Sequence, residues 1–158
     1  MIKALISDFS KVLCFRKDDP GLDKLNEHHE NLRQAGEYDF WSHFTVNTKL
    51  LEYYNRLSDR IEIYIFTTAY IQEYPPVMER LKPHFKNIFS AARLGFSKTD
   101  ANSYKKLSEM IEKSPEEIIF IDDTEPNIQA AKSAGLQTIH FHDADAVIQS
   151  IENLITNK

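Results

Sequence analysis

The chain has 158 residues, of which 42% are hydrophobic, and its formal net charge is −5. This length and hydrophobic content suit one domain with a sizeable buried core, whereas the acidic balance argues against a dedicated nucleic-acid-binding protein, which usually carries a basic patch. No apolar run approaches the roughly 20 residues that span a bilayer, no secretory signal is expected before the first predicted strand, and the single cysteine, Cys14, fits a reducing cytoplasm.

An apolar first strand is predicted at residues 2–7, and it ends by presenting the carboxylate of Asp8. A long interruption, residues 14–60, then separates this strand from the next one. Within it, Gly21 to Gln34 is strongly polar, Tyr38 to Leu57 is rich in aromatic and aliphatic residues, and both segments are predicted to be helices. These helices either form a small insertion above the sheet or complete its core.

From residue 61 onwards, predicted strands and helices alternate. The strands are predicted at 61–66, 88–90, 118–121 and 137–141, and the helices at 71–81, 100–113, 125–134 and 144–155. Pro83 is expected to stop the first of these helices, and Gly135 is expected to end the third as a left-handed cap. The alternation predicts right-handed crossovers and a parallel sheet covered by helices on both faces.

Polar side chains follow three of the predicted strands, at the point where each strand ends. They are Asp8, Thr67, Thr68, Asp122 and Asp123. In open α/β sheets the carboxyl ends of the strands border the ligand crevice, so the sheet can bring these residues together despite their separation in sequence. The two adjacent carboxylates favour a bound cation, because their mutual repulsion is costly without one.

Together with Lys98, which precedes the helix predicted at 100–113, these residues resemble the four motifs of the haloacid dehalogenase-like hydrolase superfamily. The resemblance covers nearly the whole chain. It implies a single domain over residues 1–158 with a Rossmann-like α/β fold, and it makes residues 14–60 a small helical cap inserted after the first strand. In that superfamily such a cap covers the active site and selects the substrate. A cap this short implies an open site, which favours a large substrate or loose selectivity.

The resemblance further implies a phosphatase that depends on Mg²⁺ and works through an aspartyl-phosphate. Asp8 is then the catalytic nucleophile, and the covalent intermediate splits one difficult displacement into two easier steps. Asp8 is also a metal ligand, together with the backbone carbonyl of Ser10 and the pair Asp122 and Asp123. Oxygen atoms of this kind are the ligands that Mg²⁺ prefers.

The residues that bind the phosphorylated substrate are implied in the same way. Thr67 donates its hydroxyl to a phosphoryl oxygen, Lys98 neutralises the nucleophile and the phosphoryl charge, and Thr68 lines the same site. Such donors are needed because a carboxylate is repelled as it approaches a dianionic phosphoryl group. The expected partner is a small phosphorylated molecule, and the sequence leaves the oligomeric state open.

Ser10 departs from the superfamily pattern, in which a second aspartate at this position protonates the leaving group and later activates water. General acid–base help is typically worth about 10²–10⁴-fold, and a serine hydroxyl is too weak an acid or base to supply it. Lys11 departs as well, because glycine is common there. The dehalogenase, phosphonatase and transport-ATPase branches also lack the second acid, but their other characteristic residues or domains do not match this chain.

Three interpretations therefore stay open. The chain is a phosphatase that is slow or takes its acid from elsewhere, for which His28, His29 and His43 of the predicted cap are candidates. Alternatively it is catalytically impaired and binds Mg²⁺ and phosphorylated ligands without turnover. The third interpretation is an interaction module in which the aromatic segment Tyr38–Tyr54 docks a protein partner.

Overall fold

A computed structural model describes residues 1–20 and 24–156 of the chain. In chain order the strands are β1 (Ala4–Ser7), β2 (Cys14–Arg16), β3 (Phe44–Val46), β4 (Glu62–Thr67), β5 (Asn87–Ser90), β6 (Ile118–Asp122) and β7 (Gln137–His140). The α-helices are α1 (Leu25–Ala35), α2 (Phe40–His43), α3 (Thr48–Leu57), α4 (Pro75–Leu81), α5 (Ala91–Leu94), α6 (Ala101–Met110), α7 (Glu125–Ser133) and α8 (Ala144–Thr156).

The main sheet has β1 at its centre. Within the two described ranges its strand order is β5-β4-β1-β6-β7, and each neighbouring pair is parallel. Ser7 of β1 pairs with Ile65 of β4 and with Ile121 of β6, so the three strands end at the same edge. This register confirms the predicted Rossmann-like sheet and gathers the polar residues that follow each strand.

Helices cover both faces of the sheet, because successive side chains of a strand point to opposite sides. Ala4 and Ile6 of β1 belong to the core beneath α6 and α7. Leu5, between them, belongs to the other core, to which α3 and α8 contribute. Each side chain of β1 is therefore buried, and this burial explains the nearly continuous apolar sequence of the strand.

The segment between β1 and β4 differs from the two predicted helices. The prediction of one helix from Tyr38 to Leu57 is wrong, because Phe44–Val46 forms a strand that pairs antiparallel with Cys14–Arg16. Aromatic and β-branched residues favour such pairing. Asn47 then starts a new helix, since its side chain accepts a hydrogen bond from the backbone N–H of Leu50 at 3.2 Å.

The other predicted helix of this segment is present as α1, although its predicted start at Gly21 lies outside the described residues. The chain leaves the β2–β3 pair after Arg16 and returns to it at Phe44, which is the direct partner of Arg16. We call residues Lys17–His43 the excursion. The assignment of a cap to residues 14–60 stays a prediction.

Helix α3 packs against α8 on one face of the main sheet. The hydroxyl of Tyr53 donates to Glu152 of α8 at 2.7 Å, and that of Tyr54 donates to Ser7 Oγ of β1 at 3.2 Å. Tyr54 is fully buried. This part of the interruption therefore contributes to the core of the sheet.

Two helix ends follow from proline and glycine. The predicted helix 71–81 is divided into a 3₁₀ turn, Ile71–Glu73, and α4, because Pro75 and Pro76 lack the N–H groups that would continue the turn. Gly135, two residues after the last residue of α7, has φ +98°, which confirms the predicted left-handed end. Among the helices of the described ranges, none combines the length and apolar character that crossing a membrane requires.

Candidate active site

A cavity of about 140 Å³ opens at the carboxyl ends of the central strands. Five of the residues selected from the sequence line it, namely Asp8, Ser10, Thr67, Thr68 and Asp123. Lys98 and Asp122 lie directly behind them and are buried. The sheet thus brings together all seven predicted site residues.

Asp8 lies immediately after β1, and only 6% of its surface is exposed. Its Oδ1 accepts a hydrogen bond from the backbone N–H of Phe9 and contacts Lys98 Nζ, both at 2.8 Å. The pKa of Asp8 is raised to about 7, mainly by burial. The Lys98 ammonium lowers this pKa, whereas the nearby carboxylate of Asp122 raises it. The carboxylate is therefore held in place in an environment where its charge is costly.

Lys98 lies in a turn shortly before α6, and its ammonium joins two strand ends. Nζ is 2.8 Å from Asp8 Oδ1 and 2.6 Å from Asp122 Oδ2. It also lies 5.7 Å from the ring centres of Phe66 and Phe120. Burial by itself lowers the pKa of Lys98, but the two carboxylates outweigh it and raise the pKa above its ordinary value. Lys98 therefore carries a positive charge into the interior.

The two adjacent aspartates after β6 have different surroundings. Besides contacting Lys98, Asp122 accepts hydrogen bonds from the Thr124 backbone N–H at 2.8 Å and from Asn127 Nδ2 at 3.1 Å. Asp122 is fully buried, whereas Asp123 is partly exposed and lines the cavity. This geometry suits Asp122 to hold Lys98 and suits Asp123 to bind a ligand.

The donor set fits a divalent cation that prefers oxygen. Asp8, Asp122 and Asp123 each offer a carboxylate oxygen, and the three atoms lie within 4.8 Å of one another. Ser10 Oγ is buried and has no hydrogen-bond partner among the described residues. Three carboxylates and a backbone carbonyl form an all-oxygen set, which matches the preference of Mg²⁺.

The side chain of Lys11 lies beside an acidic residue of the site, and the sequence did not predict this contact. Its backbone has φ +62°, in the left-handed region that favours glycine. Its Nζ lies 3.3 Å from Asp123 Oδ2. The three acidic side chains of the donor set therefore lie beside the buried ammonium of Lys98 and beside Lys11 on the cavity wall.

Other cavity residues were not selected from the sequence as ligand-binding residues. Asn127 lines the cavity and donates a hydrogen bond to Asp122, so it holds this carboxylate in place. Lys24 and Asn26 line the cavity from the start of α1. Asn26 Oδ1 also accepts a hydrogen bond from the Ile71 backbone N–H at 3.2 Å, which links α1 to the segment after β4. No sequence pattern marks these two residues, because their placement depends on how the excursion packs.

The histidines considered as substitute acids lie elsewhere. In the described parts of the chain, none of His28, His29 and His43 lines the cavity. His29 is buried against Tyr38, to whose hydroxyl its Nδ1 is hydrogen-bonded. Burial lowers the pKa of His29. The geometry thus gives no support to these histidines as proton donors.

Comparison with known proteins places this geometry in context. The family model described as haloacid dehalogenase-like hydrolase matches residues 4–135. Bifunctional epoxide hydrolase 2 of Sus scrofa is 28% identical over 78 residues, which are 49% of this chain and 14% of that protein. A sesquiterpene phosphatase of Aspergillus oryzae is 32% identical over 71 residues, which are 45% of this chain and 36% of that protein. The matched part is thus a small share of both relatives.

Solved structures show the same fold. A predicted hydrolase of this family from Porphyromonas gingivalis has a TM-score of 0.72 at 16% identity, and the match covers 100% of both chains. A family enzyme from Bacteroides thetaiotaomicron, solved in complex with magnesium and inorganic phosphate, has a TM-score of 0.68 at 16% identity. That match covers 90% of this chain and 95% of the other.

Proposed function

The chain belongs to the haloacid dehalogenase-like hydrolases, and from this premise we propose that it hydrolyses small phosphate monoesters through an aspartyl-phosphate on Asp8. The observation that carries the proposal is the buried Asp8 carboxylate, which lines a polar cavity and contacts the Lys98 ammonium at 2.8 Å. The phosphatase among the relatives supports the same reaction class.

In the first step, an Asp8 oxygen forms a bond to phosphorus as the bond from phosphorus to the ester oxygen breaks. Lys98 stabilises the negative charge shared by the nucleophile and the phosphoryl group. The hydroxyl of Thr67, at the end of β4, donates to a phosphoryl oxygen, and Thr68 borders the same space. The leaving oxygen takes its proton from solvent, because Ser10 is too weak an acid to supply it.

In the second step, water attacks phosphorus, the bond to Asp8 breaks, and inorganic phosphate leaves. The Asp8 carboxylate is then restored. A serine hydroxyl is also too weak a base to activate this water, so we expect the second step to be slow. Asp8, the Ser10 carbonyl and Asp123 would hold Mg²⁺, with Asp122 behind them, and the bound ion would neutralise phosphoryl charge as a Lewis acid.

The second candidate function is binding without turnover. It is favoured by one observation, namely that Ser10 replaces the acid while the residues that would bind metal and phosphate are retained around the cavity. A protein of this kind would hold Mg²⁺ and a phosphorylated ligand at the same place. The two candidates differ in whether Asp8 becomes phosphorylated.

The test is a rapid-mixing measurement of p-nitrophenyl phosphate cleavage with Mg²⁺, comparing the native chain with Asp8→Asn. The p-nitrophenolate ion leaves readily without a proton, so the first step depends little on the missing acid. A burst near one equivalent, followed by slow turnover and absent from Asp8→Asn, is the expected result. Sustained Asp8-dependent turnover would mean that another group replaces the missing acid. Product release that is equal in the two proteins, or no release, would contradict the proposal.

A further inference from the structure

A second and larger cavity, of about 680 Å³, adjoins the one that contains Asp8. It lies between α1 and the segment that follows β4, and we call it the groove. Asn26 lines both cavities. Thr67 and Thr68, which line the first cavity, continue directly into Ala69 and Tyr70, which line the groove. A molecule with its phosphate at Asp8 can therefore extend the rest of its body into the groove.

The groove offers aromatic surface to such a body. Tyr70 is 47% exposed, although most large hydrophobic side chains of the described residues are buried. The Arg93 guanidinium lies over the Tyr70 ring at 4.5 Å, which restrains the ring. Tyr74, also on the wall, stacks on Tyr38 with ring centres 5.7 Å apart. These rings are held in place by their neighbours before any ligand arrives.

The charges on the groove walls are already balanced. Each of the three acidic wall residues has a basic partner, and the pairs are Glu27 with Lys24 at 3.2 Å, Glu30 with Arg33 at 2.8 Å and Glu73 with Arg93 at 2.7 Å. A second anionic group in the groove would compete with Glu30 for Arg33 or with Glu73 for Arg93, and it would meet a carboxylate beside either cation. The walls combine these paired charges with the aromatic and aliphatic surface of Tyr70, Ile71 and Tyr74. The volume of the groove lies within the range of about 300–1,000 Å³ that is typical of sites for small organic molecules.

We propose that the groove binds an uncharged, aromatic or otherwise apolar leaving group, so that the substrate is a phosphate monoester of an apolar alcohol or phenol. This inference rests on the proposed function, because it places the phosphate of the same molecule at Asp8. We expect bisphosphates and phosphate esters that carry a carboxylate to be poorer substrates, since Arg33 and Arg93 of the groove already pair with glutamates.

The kinetic test compares 1-naphthyl phosphate, the same ester with a carboxylate on the ring, and acetyl phosphate, which is too small to fill the groove. The native chain should prefer 1-naphthyl phosphate to the carboxylated ester. In Tyr70→Ala the ratio of kcat/KM for 1-naphthyl phosphate to that for acetyl phosphate should fall about three- to tenfold, as expected for the loss of one aromatic contact. Met110→Ala is the matched control, because Met110 is also 47% exposed but lies outside the groove, and it should leave the ratio unchanged.

A binding measurement separates this inference from the proposed function. Isothermal titration with 1-naphthylmethylphosphonate and with methylphosphonate, neither of which can be hydrolysed, should show tighter binding of the naphthyl compound. Tyr70→Ala should remove this difference. If no ester shows Asp8-dependent hydrolysis, the proposed function fails, and the titration still decides whether the groove binds apolar groups. Equal affinity for the two phosphonates, or a carboxylated ester that is used as well as 1-naphthyl phosphate, would overturn the inference.

Discussion

Lys98 is the residue on which the charge balance of the cavity depends. Its ammonium is buried and contacts both Asp8 and Asp122. In Lys98→Met these carboxylates lose their cation, and removal of one partner from a buried ion pair costs about 3–5 kcal/mol. We therefore expect the free energy of unfolding to fall by about 3 kcal/mol or more near neutral pH, as measured by urea denaturation without metal.

The matched control for this change is Lys86→Met. Lys86 pairs with Glu62, but its side chain is 57% exposed. Because exposed ion pairs contribute about 0–1 kcal/mol, its loss should have little effect. Equal destabilisation by the two substitutions would show that the buried ion pairs of Lys98 contribute no more to the free energy of unfolding than an exposed ion pair does.

The raised pKa of Asp8 predicts a pH dependence of stability. In the metal-free folded protein Asp8 retains its proton up to about pH 7, whereas in the unfolded chain it loses the proton near its ordinary pKa of 3.8. Between these values the folded state binds more protons, so the contribution of Asp8 to stability falls as the pH rises. The difference in unfolding free energy between the native chain and Asp8→Asn should decrease by up to about 1.4 kcal/mol per pH unit in this window. A difference that grows with pH in urea denaturation would contradict the assignment.

Ser10 gives a prediction about catalysis. Ser10→Asp supplies a carboxyl group where the proton donor is missing, and positioned acids or bases contribute about 10²–10⁴-fold. Phosphate release from an alkyl phosphate should therefore rise by about tenfold or more, whereas the burst with p-nitrophenyl phosphate should change little. Ser10→Asn is the control of similar shape without an ionisable group. If both variants release phosphate at the same rate, proton transfer is not the missing function.

The residues of the candidate site were predictable to the extent that they follow strands. Asp8, Thr67 and Asp122 follow or end strands that are adjacent and parallel, and the sheet alone brings them to one edge. The ion pair of Lys11 with Asp123 was not predictable, because it depends on a left-handed backbone at a residue other than glycine. Asn26 was missed for a similar reason, since its position depends on long-range packing.

Among the helices, α7 depends on Gly135 for the left-handed backbone conformation that ends it. Its φ of +98° is unfavourable for any side chain, and an added Cβ would lie 3.3 Å from Pro115 Cβ. Gly135→Ala should therefore destabilise the protein by about 1–2 kcal/mol through backbone strain, with a further loss from this close contact. Gly95→Ala is the control, because Gly95 has φ +67° but no atom within 4 Å of an added Cβ. Thermal unfolding should rank Gly135→Ala as the less stable variant, and the opposite ranking would contradict the role of the contact.

The elements of the parallel sheet were predictable because local pattern and tertiary packing agree there. The apolar runs of β1 and β6 are buried on both faces, and their sequences show it directly. The prediction of one helix from Tyr38 to Leu57 is wrong because Phe44–Val46 is only three residues long and pairs with Cys14–Arg16, which lies much earlier in the chain. Two short strands that lie this far apart in the chain produce no hydrophobic periodicity within a segment of a few residues.

For the molecule as a whole, the pairing of Arg16 with Phe44 means that the excursion can be deleted without a break between β2 and β3. The two ends of the excursion lie side by side, so an Asn-Gly turn that replaces Lys17–His43 can close β2 and β3 into a hairpin. The free energy of unfolding should fall, because buried Phe40, which stacks on Phe44 with ring centres 4.4 Å apart, is lost. The seven predicted site residues all lie outside the deleted range.

The shortened chain tests whether the excursion selects the substrate. Helix α1 forms one side of the groove, whereas Asp8 and Lys98 belong to the sheet and its loops. After a cooperative transition by circular dichroism has shown that the sheet still folds, the variant should retain Asp8-dependent release of phosphate from acetyl phosphate and lose its preference for 1-naphthyl phosphate. A folded variant that keeps this preference would place leaving-group recognition on the segment after β4 alone. Loss of the cooperative transition would instead mean that Phe40 and its neighbours are indispensable to the core, and that the excursion and the sheet form one folding unit.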